Sequence, residues 1–155
     1  MARLTGPYSG FPGNTTRRTT TQELPLGTRA IAEGGSEYVY IKAGATIPVK
    51  SVCTFQGSAA GYDDIRVVTA ANQAIAGVAD TAFASGEYGF LLCRGIVTAL
   101  VEDSTAVGSL LQASDTVDGA FILSTAATDL VGTIPAVALT TAADSSTAGV
   151  VVCLG

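Results

Sequence analysis

A segment near the middle of the chain returns, loosened, at its end, and this echo constrains the fold more than any single residue does. Gly77-Val-Ala-Asp-Thr-Ala-Phe-Ala-Ser-Gly-Glu-Tyr-Gly-Phe-Leu-Leu-Cys-Arg-Gly95 lies over Ala136-Val-Ala-Leu-Thr-Thr-Ala-Ala-Asp-Ser-Ser-Thr-Ala-Gly-Val-Val-Val-Cys-Leu-Gly155. With one inserted residue, Val78 falls on Val137, Thr81 on Thr140, Gly89 on Gly149, Cys93 on Cys153 and Gly95 on Gly155. A fainter third copy, Gly35-Ser-Glu-Tyr-Val-Tyr-Ile-Lys-Ala-Gly44, shares the Glu-Tyr pair of Glu87-Tyr88. Each copy is a short apolar stretch, a turn of small polar residues, and a strand closed by glycine. Units this short cannot bury their own apolar faces, so repetition means that they pack on one another. The expectation is a mainly β, compact, sandwich- or barrel-like domain with little helix.

A chain of 155 residues is long enough for one domain that buries roughly 70% of its unfolded surface. Only 6% of it is aromatic and Trp is absent, so the core must be built from small side chains. Charged residues make up 14%, well below the ~25% usual in soluble domains. Two readings follow: a surface partly covered by partners, or a monomer with a Thr/Ser surface. The start of the chain lacks the apolar core of a secretion signal, so synthesis in the cytoplasm is expected. The longest apolar stretch, Phe90 to Val101, contains Arg94 and Gly95 and is too short to span a bilayer.

Residues 1–28 differ from the rest. Gly6, Pro7, Gly10, Pro12 and Gly13 punctuate the start, Thr15 to Thr21 is Thr-rich, and Pro25 with Gly27 closes the segment. No period of 2 or 3.6 appears, which reads as an extended N-terminal arm before a β-rich domain at 29–155. Arg3, Arg17 and Arg18 give residues 1–22 a charge of +3, against −8 for the remainder. Such a segment is either a solvated terminus or a binding arm that orders on an acidic partner. In the second reading Arg3, Arg17 and Arg18 supply charge, and Leu4, Tyr8 and Phe11 supply apolar contacts. Nucleic acid is a poor partner for three arginines joined to so acidic a body.

From residue 29 onward the strand signals are dense. Glu37 to Lys42 alternates, with Tyr38, Tyr40 and Lys42 on one face and Val39 and Ile41 on the other. Ile47 to Phe55 and Ile65 to Thr69 are rich in β-branched residues. Phe90 to Val101 reads as a long strand bent at Gly95. Ser114 to Gly119 is a turn joining Leu110–Ala113 to Ala120–Leu123 as a hairpin. Pro135 interrupts Val131 to Leu139, and Val150 to Leu154 reads as a strand tucked into the core. Thr81 to Ser85 and Ser104 to Leu111 are the only stretches where a turn or two of helix is expected.

Catalytic chemistry has little to work with. There is no histidine, which removes Ser-His-Asp and Cys-His catalysis and His-ligated metals. Lys42 and Lys50 stand in no phosphate-binding loop. Asp63-Asp64 and Glu102-Asp103 are adjacent pairs, and neighbours on a strand point to opposite faces rather than across a cleft. Asp115, Asp118 and Gly119 lack the ligand spacing of a calcium loop. Cys53, Cys93 and Cys153 lie in apolar runs without paired spacing, and are expected to be reduced, metal-free core residues. No enzymatic activity and no cofactor are expected.

The stretch Gly77 to Thr98, with its Gly-Val-Ala strand, small-residue turn carrying Gly-Glu, and following strand, resembles the signature of tailed-bacteriophage head decoration (cement) proteins. Glu37 to Ala43 with Ile47-Pro-Val-Lys50 resembles that family's opening strand and turn. Val107 to Ser114 resembles its later hairpin, and Ala148 to Cys153 its closing strand. The likeness covers residues 29–155 and leaves the arm unmatched. It implies a β-tulip-like domain on the outer surface of an icosahedral head. There it would cement neighbouring major capsid subunits after expansion and associate with copies of itself, expected as a trimer. Two alternatives stay open. One is another β-built virion component, such as a head-fibre base or tail protein; the other is a small-ligand or carbohydrate-binding β-sandwich. The absence of Trp counts against the latter.

Overall fold

The computed structural model describes residues 4–5, 15–32, 34–56, 61–70, 73–124 and 136–153. Among the described residues there is no helix, and strands account for all the regular structure. Three short strands come first: β1 (Leu4–Thr5), β2 (Arg18–Thr19) and β3 (Arg29–Ala32). Then follow β4 (Glu37–Lys42), β5 (Val52–Phe55), β6 (Ile65–Val67), β7 (Ile75–Val78) and the long β8 (Tyr88–Val101). The chain continues through β9 (Leu110–Ala113), β10 (Phe121–Leu123), β11 (Ala136–Ala138) and β12 (Ser146–Cys153).

These strands close two rings that share β8. In the first, β4 pairs β8, β8 pairs β7, β7 pairs β5 and β5 pairs β6. A parallel bridge from Ala43 to Ile65 returns to β4, with Gly44 N donating to Ile65 O at 2.9 Å. In the second, the order is β8, β12, β11, β9, β10. Phe121 pairs in parallel with Val101 to close it, and Glu102 N donates to Phe121 O at 2.8 Å. Each ring closes through one residue pair, Ala43 with Ile65 and Phe121 with Val101.

Alternation fills each ring, since successive side chains on a strand take opposite faces. Val39, Ile41, Cys53, Ile65, Leu91 and Cys93 share the first interior with Ile47 and Phe83. The second interior takes Ala99, Val101, Leu111, Ala113, Phe121, Ala136, Ala138, Ala148, Val150 and Val152. Five of those ten are alanines, and a ring of five strands has room for little more, which accounts for the small-residue composition. The bend expected at Gly95 is present, with φ +129°. Beside it Glu37 pairs with Arg94 and Tyr38 with Leu92, so one extra residue of β8 is accommodated there.

Four strands run into the next through the same kind of link. The links join β4 to β5, β7 to β8, β8 to β9 and β11 to β12, with Ile47, Phe83, Thr105 and Ala142 as their central bridging residues. Ile47 and Phe83 exchange both backbone hydrogen bonds at 2.9 Å, and Thr105 and Ala142 do so at 3.0 and 3.1 Å. Three residues past each centre the backbone turns left-handed: Lys50 (φ 69°), Gly86 (84°), Gly108 (87°) and Ser145 (53°). The halves therefore repeat, Ile47 answering to Thr105 and Phe83 to Ala142.

This equivalence corrects three expectations. The segment at 81–85 lies in a link and 104–111 is a link running into the start of β9; neither is a helical turn. The echo needs no inserted residue within its strand. In the fold Val78 answers to Val137 and Leu92 to Val151 by the same displacement, since Tyr38 pairs Leu92 as Ile96 pairs Val151. A one-residue insertion would have moved each side chain to the wrong face. The third copy is a strand, β4, but its counterpart is the second part of β8 rather than its start.

The expectation for the N-terminal segment also needs revision over 15–28. Leu24 is buried in the cluster of Tyr38, Tyr40, Phe90 and Leu92, and Thr15 is buried too. Glu23 N donates to the Tyr40 hydroxyl at 3.1 Å, and Gly27 N to Tyr40 O at 2.8 Å. The apolar outer face of β4 and β8 supplies the ordering free energy that a free arm lacks.

Candidate interaction surfaces

The N-terminal strap is held by Arg18. Arg18 pairs with Gly89 and Thr19 with Tyr88, so its side chain lies across the start of β8. A Cβ at position 89 would stand 2.8 Å from Arg18 Cδ and 2.9 Å from the Arg17 carbonyl oxygen, so only glycine leaves room. The guanidinium lies 3.8 Å over the Phe83 ring, a cation–π contact with the centre of the second link. Nη1 donates to the carbonyls of Thr15 at 3.0 Å and Arg17 at 2.8 Å. Nη2 stands 3.9 Å from Asp80 Oδ1, while the Tyr38 hydroxyl donates to Asp80 Oδ2 at 3.2 Å.

Desolvation dominates this cluster. Burial lowers Arg18 to about 10, against the opposing pull of Asp80 and Glu87. Burial likewise raises Asp80, with Arg18 acting in the opposite direction. Tyr38 is pushed up to about 12, first by burial and then by the Asp80 charge. Arg18 Nε, Arg18 Nη2 and Asp80 Oδ1 find no hydrogen-bond partner among the described residues. The pair fixes the path of the strap through geometry, since ion pairs so desolvated add little net stability.

Of the residues expected to meet a partner, Arg3, Tyr8 and Phe11 lie outside the described residues. Leu4 is in β1, paired with Ala32. Arg17 is on the surface and forms an ion pair with Glu23. Arg18 is turned into the chain's own body. The structure thus divides the two neighbouring arginines, one facing out and the other in. Gly89 is the sequence signal for the buried one.

A second surface was not foreseen. On the outer face of the second ring, Leu110 pairs with Val137, Val137 with Val151 and Val151 with Ile96. These side chains form one apolar row across four strands, and Ile96 is 67% exposed. The next row holds Leu139, Gly149 and Thr98: Gly149 pairs with Thr98, and Leu139 N donates to Gly149 O at 2.7 Å. In the first ring the equivalent row is Val52, Val78, Leu92 and Tyr38, paired in the same order and at most 5% exposed. The sequence does carry the signal, because all four positions stay apolar in both halves.

The carboxylates gather at links and turns. Glu102 accepts from the hydroxyls of Ser114 and Thr116, the latter at 2.6 Å, and these bonds hold its carboxyl below the usual range. Ser114 Oγ in turn accepts from Thr116 N and Val117 N at 3.1 and 2.9 Å, which fixes the turn carrying Asp115 and Asp118. Asp64 grips Arg66 at 2.8 and 3.2 Å. Among the described residues no three His, Cys, Asp or Glu side chains come together as a metal site would require.

No protein-family model matches the sequence, and no curated protein matches it. Among solved structures, the fold is similar to the N base of the head fiber protein gp8.5 of bacteriophage phi29. The two share 15% identity at a TM-score of 0.54, over 75% of this chain and 92% of the other.

Proposed function

We propose that this chain is a structural virion protein of a tailed phage. In this reading it sits on the outer surface of the head, bound to major capsid protein and to other copies of itself, and cements the expanded shell. It performs no catalysis and takes no cofactor. The observation that carries the proposal is the fold likeness to a head fiber base, which spans nearly all of that domain. The resemblance of Gly77–Thr98 to head decoration proteins supports the same location. The apolar outer row and the low charge content fit a protein that works by covering surface rather than by chemistry.

A head-fibre base is the second reading, and the same neighbour favours it specifically. The two readings separate in one experiment. Purified heads lacking the chain are mixed with it, repurified and heated. A cement protein stays with the heads and raises the temperature at which they break. A fibre base stays bound and leaves that temperature unchanged. Recovery with purified tails, and not with heads, rejects both.

A further inference from the structure

The strap is fastened unevenly along its length. From Leu24 onward it is firm: Leu24 is buried in the core, and Gly27 N donates to Tyr40 O and Tyr40 N to Thr28 O, both at 2.8 Å. Before Leu24, the side-chain hydrogen bonds donated by Arg18, Thr19 and Gln22 end on the strap's own carbonyls. Arg18 uses those of Thr15 and Arg17, Thr19 Oγ1 that of Thr21 at 2.7 Å, and Gln22 Nε2 that of Leu24 at 2.9 Å. The Arg17–Glu23 ion pair is internal as well. None of these bonds has to break if residues 15–22 lift away from the body. Lifting gives up two residue pairs with β8, which keeps six with β4 and eight with β12.

Arg18 sets where the strap lies, and the same charge keeps its hold weak. Its side chain is 10% exposed and that of Asp80 21%, yet their nearest atoms stay 3.9 Å apart, beyond hydrogen-bond distance. Arg18 Nε, Arg18 Nη2 and Asp80 Oδ1 are buried without hydrogen-bond partners. Close, fully hydrogen-bonded pairing is what offsets the desolvation of two charges, and this pair lacks it. We propose that residues 15–22 open as a unit from the closed rings, hinged at Leu24, and that the desolvated Arg18–Asp80 pair favours the opening rather than holding the strap shut. Opening returns both charges to water and uncovers the Phe83 ring, over which the guanidinium lies at 3.8 Å. The strap is thus a reversible cap over Phe83 and the first interior to which it belongs.

The opening carries a pH dependence. The groups facing the pair are Tyr38 of β4, which donates to Asp80, and Glu87, whose charge acts on Arg18. Under the closed strap Asp80 holds its proton more tightly than usual, because burial outweighs the pull of Arg18. A group raised in this way favours the closed state fully below its ordinary value of 3.8, and the benefit fades as pH rises through the raised value. Acid therefore shuts the strap and neutral pH loosens it. None of this rests on a place on a phage shell.

Hydrogen exchange of the full chain tests the proposal, with each peptide's rate divided by that of the same peptide unfolded at the same pH. At pH 7, peptides covering residues 15–22 are expected to exchange about a hundredfold or more faster than those of β8 and β12. Lowering the pH to 4 is expected to slow strap exchange about threefold or more. The double variant Arg18→Met, Asp80→Asn removes both charges but keeps a side chain over Phe83 and an acceptor for Tyr38. Its strap is expected to exchange about fivefold or more slowly than the wild type at pH 7, with little further change in acid. If the double variant fails to fold, the pH series on the wild type decides. A strap that exchanges as slowly as β8 overturns the proposal. So does strap exchange that is unchanged or faster in acid, or a double variant that opens as readily as the wild type.

Discussion

Cys53 lies inside the first ring, where burial pushes its thiol up to about 12, and burial raises Cys93 as well. Both are free thiols. A group whose proton is held more tightly in the folded state loses stability for the fold once the unfolded chain begins to ionise. The sign is therefore a fall in stability as pH rises from about 9, the ordinary thiol value. Cys53 alone contributes about 1.4 kcal/mol per pH unit there. Tyr38 adds to the fall only above its ordinary value of 10, and Arg18, lowered by burial to about 10, opposes it above that point. The window from pH 9 to 10 isolates the thiols. Melting temperature is expected to drop across it, and Cys53→Ala to flatten the slope; an unchanged slope would count against a buried Cys53. The burial of Cys53 and Cys93 was legible in the sequence because each sits in a strand-like apolar run, Val52 to Phe55 and Phe90 to Cys93, while the side chain of Cys153 lies outside the described residues. Arg18 was not, because nothing local distinguishes it from Arg17. Its burial depends on Gly89 and Phe83, which lie some seventy positions away in the chain.

At the scale of elements, strands were readable where alternation was clean, as in Glu37–Lys42, and where a glycine marked a bend, as at Gly95. The links were not readable. Their centres are Ile, Phe, Thr and Ala, and the backbone hydrogen bonds that define them need no common side chain. What they do share is a left-handed residue, filled by glycine in two links and by Lys50 and Ser145 in the others. Gly108 tests whether that backbone state matters. A Cβ there would meet nothing within 4 Å, so any loss on Gly108→Ala is conformational rather than steric. The expected loss is about 1–2 kcal/mol, or roughly 2–4 °C of melting temperature per kcal/mol. Gly34→Ala is the control, since it has equal space and no left-handed φ. Equal melting of the two variants would show that the link does not depend on its left-handed residue.

For the whole molecule, the mainly β class followed from composition and repetition, while the duplication into two closed rings was visible only as an echo. Pairing across the rings depends on contacts far apart in sequence, which periodicity cannot register. Duplication also places the sealed row of the first ring, Val52, Val78, Leu92 and Tyr38, and the more open row of the second, which ends at Ile96, at equivalent positions. A reconstruction of heads incubated with the purified chain tests a place on the shell most directly. Density for a two-ring β domain at repeated positions on the outer surface, in contact with major capsid subunits, is the result expected. Heads that remain bare at saturating protein would contradict it.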